Sequence, residues 1–378
     1  MTGSTSRRSF LLTTAMWSAA GLLPLRLARA ASWTGYDAAI VIDGVGGPGN
    51  SAFNAGVPLP EAALEDVRHS GLTALNLTIL PVGTTPPDSA FAQAVQGILY
   101  WESEIDRVPQ VLARIRSVAD IAAAKKAGRT GLIYGFQDGV AFETDLSRLS
   151  DFYRLGVRII QPTYNRRNLL GDGCLETADA GLSKAGIEAI TRMNDLGILV
   201  DLSHCGRRTA SDAIQASKRP VAFTHTGCAA LSDHPRNRTD AELRAVADKG
   251  GVSGIYFMPY LNNGHQPTAA NVIAHLEHAI EVAGEDHVSI GTDGGISPET
   301  IDDAFRRNFA ENIRARREAG IAAPGETEDG YLFASDLNSA RRFETLATML
   351  SSRGHSGARI EKILGRNLLR VFSDVWKP

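Results

Sequence analysis

Two histidines and an aspartate, each closing a short apolar run, are the residues of this chain best suited to chemistry. VDLSH ends on His204, AFTH on His225 and VSIGTD on Asp293. Neutral imidazole nitrogens bind divalent ions such as zinc, and a carboxylate beside such an ion either ligates it or takes a proton from the water it activates. Either histidine alone would read as a hydrogen-bonded structural residue, and Asp293 alone as a cap or turn residue in IGTDGG. The recurrence of the two histidines on consecutive run ends points instead to one shared site. Asp201 and Ser203 stand close to His204 and are expected to fix its tautomer. Arg236, within His234-Pro235-Arg236-Asn237, offers a planar fork that suits a carboxylate such as a peptide C-terminus. Two other run ends break the pattern. VIDGVGG carries no histidine, and YGFQDG puts Gln137 where an acidic metal ligand is expected.

The elements that must position these residues are eight apolar runs, read as strands over Ala38–Asp43, Leu72–Ile79, Gly131–Phe136, Val157–Thr163, Ile198–Ser203, Pro220–Thr224, Gly251–Tyr256 and His287–Gly291. Most are nearly continuous in Val, Ile, Leu and Ala, the pattern of parallel strands buried on both faces. Amphipathic stretches over Leu146–Leu155, Ser183–Leu196, Thr239–Lys249 and Ala269–Ala283 are long enough for crossover helices. Strand and helix alternating eight times predict an α/β chain closed into a (β/α)8 barrel, with chemistry at the C-terminal strand ends. Neighbouring strands lie about 4.8 Å apart, so His204 and His225 can reach one ion. The competing architecture is an open doubly wound sheet, since GVGGPG at Gly44–Gly49 fits a dinucleotide-binding spacing. The following NSAFNAGVPLP is broken by glycine and prolines where that fold opens a helix, so the run reads as a loop. Arg306–Phe333, charged and punctuated by glycine, is expected to be a long insertion over the catalytic face or the outer surface. Helices over Ser335–Arg353 and Ala358–Phe372 are expected to close the barrel from outside.

Residues 1–30 stand apart from this pattern. Ser6-Arg7-Arg8-Ser9-Phe10-Leu11, an apolar stretch to about Leu25 and the small-residue exit Ala28-Arg29-Ala30 read as a twin-arginine signal peptide, hence export to the periplasm by the machinery that carries folded proteins. The apolar stretch is short of the ~20 residues of a membrane span. Residues 31–378 then form a single barrel domain. Removing the leader takes away four arginines and no acid, moving the formal charge from −3 to −7. With no basic run to neutralise phosphates, nucleic acid is excluded as a partner. Cys174, Cys205 and Cys228 show no CxxC spacing and cannot all pair with one another, so no disulfide framework is expected.

Six stretches resemble the membrane dipeptidase family, zinc enzymes related to renal dipeptidase. They are TYNRRNLLGDGCLE (163–176), DAGLSKAG (179–186), MNDLGILVDLSHCGRRT (193–209), FTHTGCAALSDHPRN (223–237), IGTDGG (290–295) and KILGRNLLRVF (362–372). The resemblance implies a (β/α)8 barrel that hydrolyses dipeptides with two zinc ions bridged by a glutamate. It also implies that His204 and His225 ligate one ion. The other ion would use a His-x-Asp pair on the first strand, and here those positions are Val45 and Gly47. The bridging glutamate is replaced by Gln137, and a substrate-contacting histidine by Tyr164. Asp293 and Arg236 are retained. Val45 and Gly47 have no donor for zinc, so the expectation is one divalent ion, with zinc the first choice. Its protein ligands would be His204, His225 and either Gln137 or Asp293, with one position open.

The expected function is therefore an exported single-metal hydrolase that cleaves an amide bond in a small peptide-like substrate. In it Asp293 moves the proton while Arg236 and Tyr164 hold the substrate. Two alternatives start from the same residues: a binding protein that has lost catalysis, and a metal-assisted enzyme that matures an exported peptide metabolite. The family resemblance also suggests a homodimer.

Overall fold

The structure, a computed structural model, describes residues 33–51 and 56–377. The leader expected at residues 1–30 lies outside them. Eight parallel strands make the ring: β1 (Ile42–Gly47), β2 (Ala74–Thr78), β3 (Thr130–Phe136), β4 (Val157–Ile160), β5 (Leu199–Asp201), β6 (Val221–Cys228), β7 (Val252–Ile255) and β8 (Val288–Ile290). Each pairs in parallel with the next, and all seven residues of β3 are buried, as a strand packed on both faces requires. Closure comes from the chain just past β8. There Gly294 and Gly295 pair with Gly46 and Gly47 of β1, and the Asp293 amide donates to the Val45 carbonyl at 2.9 Å. This is the expected (β/α)8 barrel. Among the described residues no helix is long and apolar enough to cross a membrane.

The first strand differs from its expected bounds, starting at Ile42 and running on through the glycines rather than stopping before them. The reason is crowding inside the ring. A Cβ on Gly44 would lie 2.5 Å from the Thr224 carbonyl oxygen, and one on Gly291 only 2.0 Å from the same atom. These glycines let β1 and β8 approach β6, so the run begins inside a strand instead of forming a loop.

Helix bounds follow from local caps. Helix α1 (Lys184–Leu196) starts after Ser183, whose hydroxyl accepts from the Gly186 amide, and stops at left-handed Gly197. Helix α2 (Asp240–Asp248) starts at a reciprocal capping pair between Thr239 and Glu242. Half of the expected insertion is regular structure: helix α3 spans Asp303–Glu318, and irregular chain then crosses the catalytic end. Charges surround α3 and only Ile313 is buried, so no apolar stripe announced it.

A separate apolar cluster fills the opposite end of the ring. Ile42, Ala74, Ile133, Ile159, Leu199, Ala222 and Val252, from β1 to β7, meet Leu368, Val371, Phe372 and Val375 of helix α4 (Asn367–Val375). The segment expected over Ala358–Phe372 is thus a short helix, a π turn at Lys362–Arg366, and α4, which plugs the barrel floor.

Candidate active site

Five of the six residues singled out line one cavity of about 160 Å³ at the C-terminal ends of the strands: Gln137, Tyr164, His204, Arg236 and Asp293. Asn165, Tyr260, Arg316, Val82, Met258 and Leu332 complete its wall. The sixth, His225, is fully buried and joins the set through His204, their Nε2 atoms lying 2.9 Å apart.

The partners of the two rings decide which nitrogen carries the proton. His204 Nδ1 lies 2.6 Å from Asn165 Oδ1, an acceptor, so Nδ1 holds the hydrogen. The Thr224 hydroxyl gives its one hydrogen to Asp201 at 2.5 Å and therefore accepts from His225 Nδ1 at 2.9 Å. Both Nε2 lone pairs then face each other. Burial first, then the Arg236 guanidinium, holds both rings well below the usual imidazole range, so they are neutral. This corrects one expectation. Asp201 and Ser203 do not serve His204, because Asp201 takes hydrogens from Ser203 and Thr224 and acts on His225 through Thr224.

Arg236 is 1 % exposed, yet its hydrogen bonds go to the Ser203 carbonyl and to His204 Nε2 at 3.0 Å, and its guanidinium lies over the Tyr256 ring. None of these partners is a carboxylate. Asp293 attracts the guanidinium without bonding to it, so an anionic ligand in the cavity would give it the direct charge partner it lacks. Asp293, half-buried at φ +55°, has its carboxyl pushed up to about 6 by burial, against the pull of Arg236 and Arg316. Tyr164 stacks on His204 with ring centres 4.2 Å apart.

His204 and His225 are the groups of this cavity suited to holding a divalent ion. Two nitrogens 2.9 Å apart are within reach of a single ion at about 2.0–2.1 Å from each. On β1, Val45 has no donor atom and Gly47 no side chain, and a Cβ at Gly47 would have nothing within 4 Å. Among the described residues no three His, Cys, Asp or Glu side chains converge to hold a metal, so any third protein ligand comes from a weaker donor or by movement. Gln137 gives its amide N–H to the Thr78 hydroxyl at 2.8 Å, which leaves its oxygen as the end suited to a cation.

Sequence reasoning missed the pair Arg316 and Glu326. Glu326, its side chain fully buried, takes Arg316 at 2.7 and 2.9 Å and the Tyr260 hydroxyl at 2.6 Å. The acid and the guanidinium sit in a stretch crowded with other charges, and nothing in its pattern marks these two.

Comparisons with known proteins show what the chain is similar to. Residues 55–314 match the sequence model described as "Membrane dipeptidase (Peptidase family M19)". The chain is 29 % identical over 274 residues to dipeptidase verJ of Clonostachys rogersoniana, covering 72 % of this chain and 62 % of that protein. It is 35 % identical over 243 residues to an uncharacterized dipeptidase of Schizosaccharomyces pombe, covering 62 % of this chain and 58 % of that one. The match thus spans less than two thirds of either relative. Among solved structures, an amidohydrolase from Pseudomonas aeruginosa is 33 % identical with a TM-score of 0.78, covering 90 % of this chain and 98 % of that one. A metallopeptidase from Rhodobacter sphaeroides, liganded with a phosphinate mimic of the dipeptide L-Ala-D-Ala, shares the fold at 19 % identity, with a TM-score of 0.71 over 89 % of this chain and 100 % of that one.

Proposed function

Because the chain belongs to the membrane dipeptidase family, we propose that it is a metal-dependent hydrolase, cleaving an amide bond in a small substrate that carries a free carboxylate, with one divalent ion, zinc first. The observation that carries this reading is Arg236, a buried guanidinium with no carboxylate partner beside two neutral imidazoles whose lone pairs converge. His204 and His225 hold the ion, with the Gln137 oxygen as third ligand. A bound divalent ion supplies carbonyl polarisation and acidification of water. Arg236 gives its fork to the substrate carboxylate and so releases the His204 lone pair. Tyr164 holds the substrate by its phenol, and Asp293 takes a proton from water and passes it to the leaving amine. The cavity of about 160 Å³ is smaller than the ~300–1,000 Å³ of drug-sized sites and suits a dipeptide-sized molecule.

Elemental analysis of protein purified without added metal, together with hydrolysis of a dipeptide panel, tests this. About one ion per chain is expected, lost in His204→Ala and His225→Ala. Gln137→Glu should tighten metal binding, because a carboxylate adds charge beside the ion. The absence of donor side chains at Val45 and Gly47 favours one other reading, a binding protein that has lost catalysis. A chain that binds the dipeptides but holds no metal and turns none over would establish it. We also propose export through the twin-arginine leader, in which case lysine at Arg7 and Arg8 should keep the protein in the cytoplasm.

A further inference from the structure

The chain from Arg316 to Glu326 lies beyond residue 314, where the family match ends, yet it touches the site at two adjacent residues. The amides of Ile321 and Ala322 turn back onto the Arg316 carbonyl at 3.0 and 3.1 Å, and this fold-back presents the Ile321 carbonyl to Asn165 Nδ2 at 2.8 Å. Glu326 anchors the other end. It holds Arg316 by two N–H groups and also accepts from Tyr260 and from the Ala323 amide at 3.0 Å. Arg316 Nη1 in turn lies 3.4 Å from the Tyr164 hydroxyl.

We propose that this strap is a positioning device that acts through Asn165 to fix the tautomer of His204. A carbonyl oxygen only accepts, so Ile321 pins the NH2 end of the Asn165 amide and turns its oxygen towards His204 Nδ1. An amide oxygen also only accepts, so the ring must carry its hydrogen on Nδ1 and present a lone pair at Nε2. Arg236 Nη2, which can only donate, sits 3.0 Å from that Nε2 and agrees independently. Tyr164, braced by Arg316, covers the ring face. The strap thus controls His204 on one edge and one face. The consequence for metal binding rests on the reading of His204 as a ligand, while the tautomer does not.

Long-range 1H–15N spectra of protein labelled with 15N-histidine report the tautomer directly, and cobalt(II) titration reports the lone pair. Wild type should show His204 protonated on Nδ1. Asn165→Leu removes the acceptor at similar volume. It should shift the ring towards the Nε2–H form and weaken cobalt binding about 10–100-fold. Asn165→Asp can accept from Nδ1 with either oxygen, so it should retain both properties although Ile321 no longer orients it, a rescue that mere packing would not produce. Arg316→Leu combined with Glu326→Gln removes both strap charges together and should weaken cobalt binding similarly, with no further loss when Asn165→Leu is added. An Nε2–H ring in the wild type overturns the proposal without any variant. So does an unchanged ring in Asn165→Leu, or additive losses in the combined variant. If the wild-type ring is the Nδ1–H form but cobalt does not bind, the positioning stands and the reading of a metal site falls.

Discussion

Asp293 is held at φ +55°, a backbone conformation that costs a residue with a side chain about 1–3 kcal/mol and that persists where surrounding structure enforces it. Its amide bond to Val45 and the paired glycines after it do the enforcing. In its proposed role as a base it must be ionised, so kcat/KM should rise with pH along an acid limb, moved below about 6 by the charge of the bound ion, and level off above. Asp293→Asn should lose that limb together with roughly 100-fold or more of kcat. A carboxyl whose folded pKa lies above its unfolded value of about 3.9 stabilises the fold below that pH and loses the contribution as pH rises through about 6. The asparagine variant escapes this loss, so it should melt above wild type at pH 8 and level with it at pH 4, as thermal scans would show. Residues at strand ends were legible in sequence because an apolar run stops there. Arg316 and Glu326 were not, since Arg316 meets Tyr164 across 152 residues, and Asn165 stood in a recognised block without a visible partner.

Two buried aspartates clip neighbouring strands together. Asp43 of β1 accepts from the Thr292 amide and hydroxyl at 2.7 and 2.6 Å, joining the first strand to the chain leaving the last. Asp201 of β5 does the same with Thr224 of β6 and with Ser203, whose hydroxyl also accepts from the His225 amide at 3.1 Å. Removing Asp201 leaves several buried donors unpaired at about 1–3 kcal/mol each. Asp201→Ala should therefore cost about 3 kcal/mol or more in urea unfolding, and it should weaken metal binding because Thr224 no longer holds His225 in register. Parallel strands were readable as apolar runs, and helices wherever a cap met an apolar stripe. Clips of this kind were hidden, because an aspartate in a strand looks the same whether it faces its own turn or the neighbouring strand.

At the scale of the whole barrel, one end is polar and carries the cavity while the other is closed by α4. Phe372, fully buried and stacked on Trp376 with ring centres 4.2 Å apart, is central to that floor. Phe372→Ala should cost about 3–5 kcal/mol. Lying at the far end, it should lower the melting temperature while leaving ligand affinity unchanged, and calorimetry beside a binding titration checks both. The alternation of strands and helices foretold the ring but not which segment would fill its floor, since α4 has the same apolar stripe as a helix lying outside. The clip that closes the ring joins residues 249 positions apart, and the floor is supplied by a helix made later still. A growing chain on the ribosome therefore carries an open sheet with two unpaired edges through most of its synthesis. Such edges are templates for aggregation, so chains truncated before α4 should aggregate where the full chain does not, as light scattering of the two would show.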